Sequence, residues 1–291
     1  MNKAVLSYIR PLWPLLLLIA AGLAAAAACD LAISRAMYAP TAGWAVFIEK
    51  YGETPGLFLS AWALLLLNAG LGGGRLRRIA LGVFNFIVCD LLLEYALFSI
   101  VCGRLNKRTV AEMAAFAAGH GRLIRLVTAP VVLAAMLLFK YRLKDFALRH
   151  NAFARIVIAQ LAISQLMVQS FKGLWGRVRF RDLAPGFADF SPWYLPQHAG
   201  GSSFPSGHTA LAWMLLPAFL LCGNSPVLRR LALGLSIIWG ITVGLARITM
   251  GAHYTSDVLF ASFLTITPFL LLLRRQGLPP VFGIDLNGGK L

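Results

Sequence analysis

Acidic side chains are scarce in this sequence. Eleven Asp and Glu stand against 27 Lys and Arg, and charged residues of both signs make up 13% of the 291 positions. A soluble globular domain carries about a quarter charged residues, so the deficit excludes an ordinary solvated surface. Hydrophobic residues reach 59% and the mean hydropathy is +0.74, values that belong to an integral membrane protein. Cysteine is also sparse. Cys29, Cys89, Cys102 and Cys222 sit in or at the ends of apolar runs without C-x-x-C spacing, which excludes the common zinc and thiol-redox motifs. They read as small apolar residues, with Cys29 and Cys102 the one pair that the expected topology brings to a common membrane face. An extended basic domain is missing as well. The net charge of +16 comes in short Lys and Arg runs between apolar segments, a pattern that suits loops and anionic lipid headgroups and not nucleic acid. Internal repeats, low-complexity tracts and a soluble domain are absent too.

The apolar runs predict an all-α membrane protein of about eight transmembrane helices. The first, residues 11–29, follows Lys3 and Arg10 and is a retained span, because further spans follow it. The others are Gly56 to Leu71, 79–101, 126–140, 152–171, 207–222, 231–246 and 258–273. The basic stretches GGGRLRR (Arg75, Arg77, Arg78) and KYRLKDFALRH (140–150) read as cytoplasmic under the positive-inside rule, which puts both termini in the cytoplasm. Between the third and fourth spans, Ala111 to Ala118 reads as an interfacial amphipathic helix. Asp90 and Glu94 lie one helical turn apart and cannot face lipid. Either they form an ion path or they partner a donor or cation from a neighbouring helix, and the second reading is preferred.

Three polar clusters fall on one expected side of the membrane: Lys172 with Arg179, then Ser206, Gly207 and His208, then Arg247 with His253 and Asp257. Lys172 and Arg179 share a helix face if the helix extends that far. Asp257, four residues after His253, can hold one imidazole nitrogen if that stretch is helical, leaving the other free to attack. Two imidazoles and a carboxylate could also bind a metal, but Lys172, Arg179 and Arg247 would repel a cation and attract an anion such as phosphate. The chemistry these groups suggest is phosphoryl transfer. Cations and backbone N–H groups hold the phosphate oxygens, His253 attacks phosphorus, and His208 protonates the leaving alkoxide. Water then hydrolyses the phosphohistidine, and no cofactor is required.

These residues resemble the motifs K-x6-R-P, P-S-G-H and S-R-x5-H-x3-D of the type-2 phosphatidic acid phosphatase superfamily of lipid phosphate phosphatases, in its bacterial integral membrane branch. Here they read KGLWGRVRF (Lys172 to Phe180), PSGH (Pro205 to His208) and ARITMGAHYTSD (Ala246 to Asp257). All spacings are kept; Phe180 replaces the proline and Ala246 the first serine. The resemblance implies that Lys172, Arg179, Ser206, Gly207, His208 and Arg247 bind phosphate, that His253 is the nucleophile, that Asp257 orients it, and that His208 is the acid. It also implies a six-helix phosphatase core.

Together these readings place an N-terminal helical hairpin at 1–78, the six-helix phosphatase core at 79–276 with its motifs in 172–257, and a short cytoplasmic tail at 277–291. The expected protein is a multi-pass, metal-independent lipid phosphatase of the cell membrane with its site on the extracytoplasmic side. Its expected partners are a lipid phosphate substrate and membrane lipids, with neither nucleic acid nor an obligate protein partner. Phosphotransfer to a second lipid, and membrane transport, are the alternatives.

Overall fold

The computed structural model describes residues 13–107, 110–222 and 225–275. Lys3, Arg10 and the start of the first run, Arg108, Asn224 and the tail 277–291 lie outside the described residues. Among the described residues ten α-helices follow one another: α1 (Trp13–Met37), α2 (Gly43–Tyr51), α3 (Thr54–Ala69), α4 (Arg75–Arg104), α5 (Val110–Tyr141), α6 (Lys144–Arg149), α7 (Asn151–Trp175), α8 (Gly207–Ala212), α9 (Pro226–Thr249) and α10 (Thr255–Arg275). A 3-10 helix, Trp213–Leu221, continues α8. No strand occurs among the described residues.

Six of these helices are long and apolar enough to cross a membrane. They occupy the expected first, third, fourth, fifth, seventh and eighth spans. The other two expected spans are shorter: α3 has 16 residues, and the sixth combines the 6 residues of α8 with the 9 of the 3-10 helix. A 3-10 helix rises ~2.0 Å per residue against ~1.5 Å for an α-helix, so the combined rod still reaches about 27 Å. Pro217 inside it cannot donate to an α-helical ladder, a local reason for the tighter winding.

One expectation is corrected. The separate interfacial helix at 111–118 and the short span at 126–140 are a single 32-residue helix, α5, which runs through Pro130. Its partner α4 has 30 residues, and at ~1.5 Å per residue both exceed a hydrocarbon layer of about 30 Å. The two pack along each other, and Glu94 of α4 meets Arg125 of α5 at 2.9 Å. Glu94 therefore has the neighbouring-helix cation that the second reading of the Asp90–Glu94 pair required. Asp90 is buried beside it. All four cysteines are free; Cys29 is exposed and Cys102 buried.

The remaining helices pack around α7 and the α8 rod. Helix α3 packs on α4, α7 and α8, α1 lies along α10, and α2 packs on α9. Gln160, fully buried on α7, donates to the carbonyl oxygens of Trp213 and Thr265 (3.5 and 3.4 Å). The indole of Trp213 donates to Ser262 Oγ at 2.8 Å. These bonds fasten the middle of the bundle. Contacts among Lys172, Glu53, His208, Arg247 and Asp257 collect the ends of α7 and α9 and the starts of α3, α8 and α10 at one end of the bundle. The basic residues Arg75, Arg78, Lys140, Lys144, Arg230 and Arg275 sit at the helix ends opposite.

Helix α3 approaches α8 so closely that a Cβ on Gly56 would lie 2.0 Å from the carbonyl oxygen of Leu211. Backbone cannot yield as a side-chain tip can. Gly56→Ala is therefore expected to destabilise the fold by at least ~1–3 kcal/mol, the usual cost of overpacking, read as a lowered thermal midpoint in detergent.

Candidate active site

The polar end of the bundle is built around buried charge. Helix α7 stops at Trp175 because Gly176 takes a left-handed conformation (φ 60°), and a side chain there would strike the backbone of His198. The chain turns inward and buries Arg177, which is 1% exposed. Its guanidinium meets Asp257 Oδ1 at 2.7 Å and Asp30 Oδ2 at 3.1 Å, donates to Ser256 Oγ at 2.9 Å, and stacks 3.9 Å from the Tyr254 ring centre. Asp30 comes from α1, so the first helix is fixed to the start of α10 through this arginine.

The helix does not extend to Arg179, so Lys172 and Arg179 do not share a helix face. They converge on one residue instead: Lys172 Nζ donates to the Ser202 carbonyl oxygen at 2.6 Å, and Arg179 donates to Ser202 Oγ at 2.9 Å. Arg247, at the end of α9, joins them and meets Glu49 of α2 at 3.2 Å. Glu49 also holds Arg181 at 3.0 Å. The Nε atoms of Arg179 and Arg247 are buried without a hydrogen-bond partner among the described residues. Unpartnered buried donors on two neighbouring cations are a site suited to an anion.

His253 sits in the turn ahead of α10, and its relation to Asp257 differs from the helical pairing anticipated. Its Nδ1 lies 2.6 Å from the carbonyl oxygen of Ser203 and 3.6 Å from Asp257 Oδ2. A backbone carbonyl can only accept, so Nδ1 carries the proton and Nε2 keeps its lone pair. Asp257 reaches the histidine mainly through this frame, since its Oδ2 accepts from Ser203 Oγ (2.5 Å) and from the Tyr254 N–H (2.9 Å). Burial pushes the His253 imidazole down to about 3, with Asp257 acting in the opposite direction and the nearby cations with the burial. The ring is thus neutral at physiological pH.

His208 lies in the first turn of α8, and its Nδ1 is 3.4 Å from Glu53 Oε2. Ser206 is fully buried and caps α8, its Oγ accepting from the Thr209 N–H and hydroxyl at 3.3 and 2.8 Å. Lys172, Arg179, Gly207, His208, Arg247 and His253 line one cavity of about 680 Å³, while Ser206 and Asp257 stand behind it. From this polar end the cavity runs between α3, α4 and α7 past Leu57, Leu64, Val88, Leu92 and Leu161. No group of three or more His, Cys, Asp or Glu forms a metal-ligand set among the described residues.

Both departures from the motifs sit in packed surroundings. Phe180 is buried between the rings of Tyr38 and Phe187 (5.2 and 5.7 Å). Ala246 is fully buried in an apolar cluster with Ala45, Ile48 and Val243, where a serine hydroxyl would need a partner. Sequence reasoning missed Arg177, Asp30, Ser203, Glu49 and Glu53. Asp30 carried one signal, a lone acid ending an apolar run.

Residues 153–277 match the PAP2 superfamily, a segment that contains all eight of the anticipated site residues. Phosphatidylglycerophosphatase B of Haemophilus influenzae is 37% identical over 68 residues, which cover 22% of this chain and 28% of that protein. The chain thus matches well under two thirds of this relative's length. No solved structure matches the chain.

Arg177 neutralises two buried carboxylates, so its loss leaves both uncompensated. Arg177→Met is expected to cost about 3–5 kcal/mol of stability, while Asp30→Asn should cost less, since Asp257 stays paired. Comparing the thermal midpoints of the two variants checks the order.

Proposed function

We propose, on the premise that the chain belongs to the PAP2 superfamily through residues 153–277, that the protein is a membrane phosphatase that hydrolyses a lipid phosphate or diphosphate monoester. The observation that carries this reading is the shape and chemistry of the 680 Å³ cavity. It joins a cationic end able to hold phosphate to an apolar channel able to hold acyl or prenyl chains. A soluble phosphate ester has no use for the second part.

In the proposed reaction, Lys172, Arg179, Arg247 and the backbone N–H at Gly207 bind the phosphate oxygens and neutralise charge as the P–O bond lengthens. Ser206 acts behind them by shaping the turn. His253 Nε2 attacks phosphorus, and the hydrogen bond from Nδ1 to Ser203 stabilises the positive charge that develops on the ring. Protonated His208 gives its proton to the leaving oxygen, the alkoxide of a monoester or the lipid phosphate of a diphosphate, so that group departs as the N–P bond forms. Neutral His208 then takes a proton from water, which attacks phosphorus and releases inorganic phosphate and free His253. Every step uses groups of the chain itself and water, and no cofactor enters. On this reading residues 79–276 are the catalytic core, to which the N-terminal segment contributes Asp30, Glu49 and Glu53.

The cell membrane as location and an extracytoplasmic site complete the proposal. The basic helix ends opposite the cavity support that orientation, because Lys and Arg concentrate on cytoplasmic loops. A reporter fused within loop 181–204 is expected to read as extracytoplasmic, and a cytoplasmic signal there would reverse the orientation.

The substrate class is tested with purified protein and a panel of phosphatidic acid, phosphatidylglycerol phosphate and undecaprenyl diphosphate, with chelator present. Phosphate release is expected to persist in chelator and to vanish in His253→Gln. His208→Ala should slow release about 10²–10⁴-fold, the usual contribution of a general acid. Release abolished by chelator, or undiminished in His253→Gln, would overturn the reading.

A further inference from the structure

Two histidines carry the proposed reaction, and each faces a carboxylate. For His253 that group is Asp257, inside the family segment. For His208 it is Glu53, which lies a hundred residues upstream of that segment at the corner where α2 passes into α3. The corner is anchored on both sides: the Trp239 indole donates to the Gly52 carbonyl oxygen at 3.0 Å, and Thr54 Oγ1 donates to the Tyr51 carbonyl oxygen at 2.8 Å. Glu53 is 3% exposed. One carboxylate oxygen accepts from Ser99 Oγ of α4 at 2.8 Å, Tyr95, one turn earlier, also hydrogen-bonds the carboxyl group, and the other oxygen faces His208 Nδ1.

We propose that Glu53 is a positioning residue for His208: it accepts the Nδ1 proton and thereby makes Nε2 the nitrogen that exchanges a proton with substrate and water. This inference rests on the phosphatase reading above. The groups around His208 explain why such a residue is needed. Lys172, Arg179, Arg247 and His253 all surround it, and all but the neutral His253 are cations that oppose a second positive charge on its ring. Glu53 is the acid in contact with it, so Glu53 is what allows His208 to carry the proton that the alkoxide requires. When that proton leaves, Nδ1–H stays on Glu53 and Nε2 is bare, ready to accept a proton from water. Burial raises the Glu53 carboxyl, opposed by the hydrogen bonds from Ser99 and Tyr95 and by the charge of Arg247, which hold it in its charged form.

The test exploits leaving-group chemistry. An alkyl phosphate needs a proton as its P–O bond breaks, whereas p-nitrophenyl phosphate releases a stable phenolate. In Glu53→Gln, kcat for dioctanoyl phosphatidic acid is expected to fall about 10²-fold while kcat for p-nitrophenyl phosphate falls less than about threefold, since only the first reaction depends on the acid. The alkaline limb of the kcat/KM profile should move to lower pH, because without the Glu53 charge His208 loses its proton more easily. Glu53→Asp should recover part of the loss. An equal fall on both substrates with an unmoved alkaline limb would mean a purely structural role and overturn the inference, as would full activity on both. If the wild-type protein releases phosphate from neither ester, the phosphatase reading itself fails, a result distinct from any selective effect in the variant.

Discussion

The buried ion cluster of Arg177 with Asp257 and Asp30 is the constraint on which the polar end of the molecule depends. A guanidinium removed from water needs compensation on several sides, and here the partners come from the first helix, the last helix and an aromatic face. Meeting that need fixes the relative position of α1, the loop after α7 and the start of α10. Asp257, held by Arg177, aligns Ser203 and Tyr254, and Ser203 in turn meets His253. The histidine is oriented at the end of this chain of contacts, by a backbone carbonyl that an acid holds in register.

Beyond this cluster, the distribution of charge follows a single pattern. Two of the cations that line the cavity, Arg179 and Arg247, keep an unpartnered Nε donor among the described residues, while Lys172 donates to the Ser202 carbonyl oxygen. From the N-terminal segment Glu49 pairs with Arg181 and Arg247, and Glu53 reaches the cavity wall beside His208. The arrangement sets three cations, Lys172, Arg179 and Arg247, against one carboxyl group, Glu53, in the cavity lining.

Much of this was legible in the sequence. The long apolar runs identify the spans because a bilayer demands about twenty apolar residues per helix, and the motif residues Lys172, His208, Arg247 and His253 meet in one cavity. Other features were hidden for physical reasons. The fusion of 110–141 into one helix was masked by Arg122 and Arg125, yet Arg125 finds Glu94 and charged residues near a helix end can extend to the interface. The relation of Lys172 to Arg179 depends on one left-handed glycine, Gly176, and not on helical spacing. Glu49 and Glu53 carry no mark of their role, because nothing in local sequence says that a corner 150 residues away will fold against a histidine turn.

The cavity extends from the cationic cluster along α3, α4 and α7, so its two ends differ in polarity. On the proposed reading the two products part company at the site. The lipid alcohol slides back into the bilayer, where it is counted as a fraction of lipid, while phosphate departs to water, where it is counted per volume. The reverse reaction would need both to return from different reservoirs at once. Geometry therefore gives each product its own route out of the site, while the direction of the reaction is set by the free energies and concentrations of the reactants and products, which a catalyst leaves unchanged.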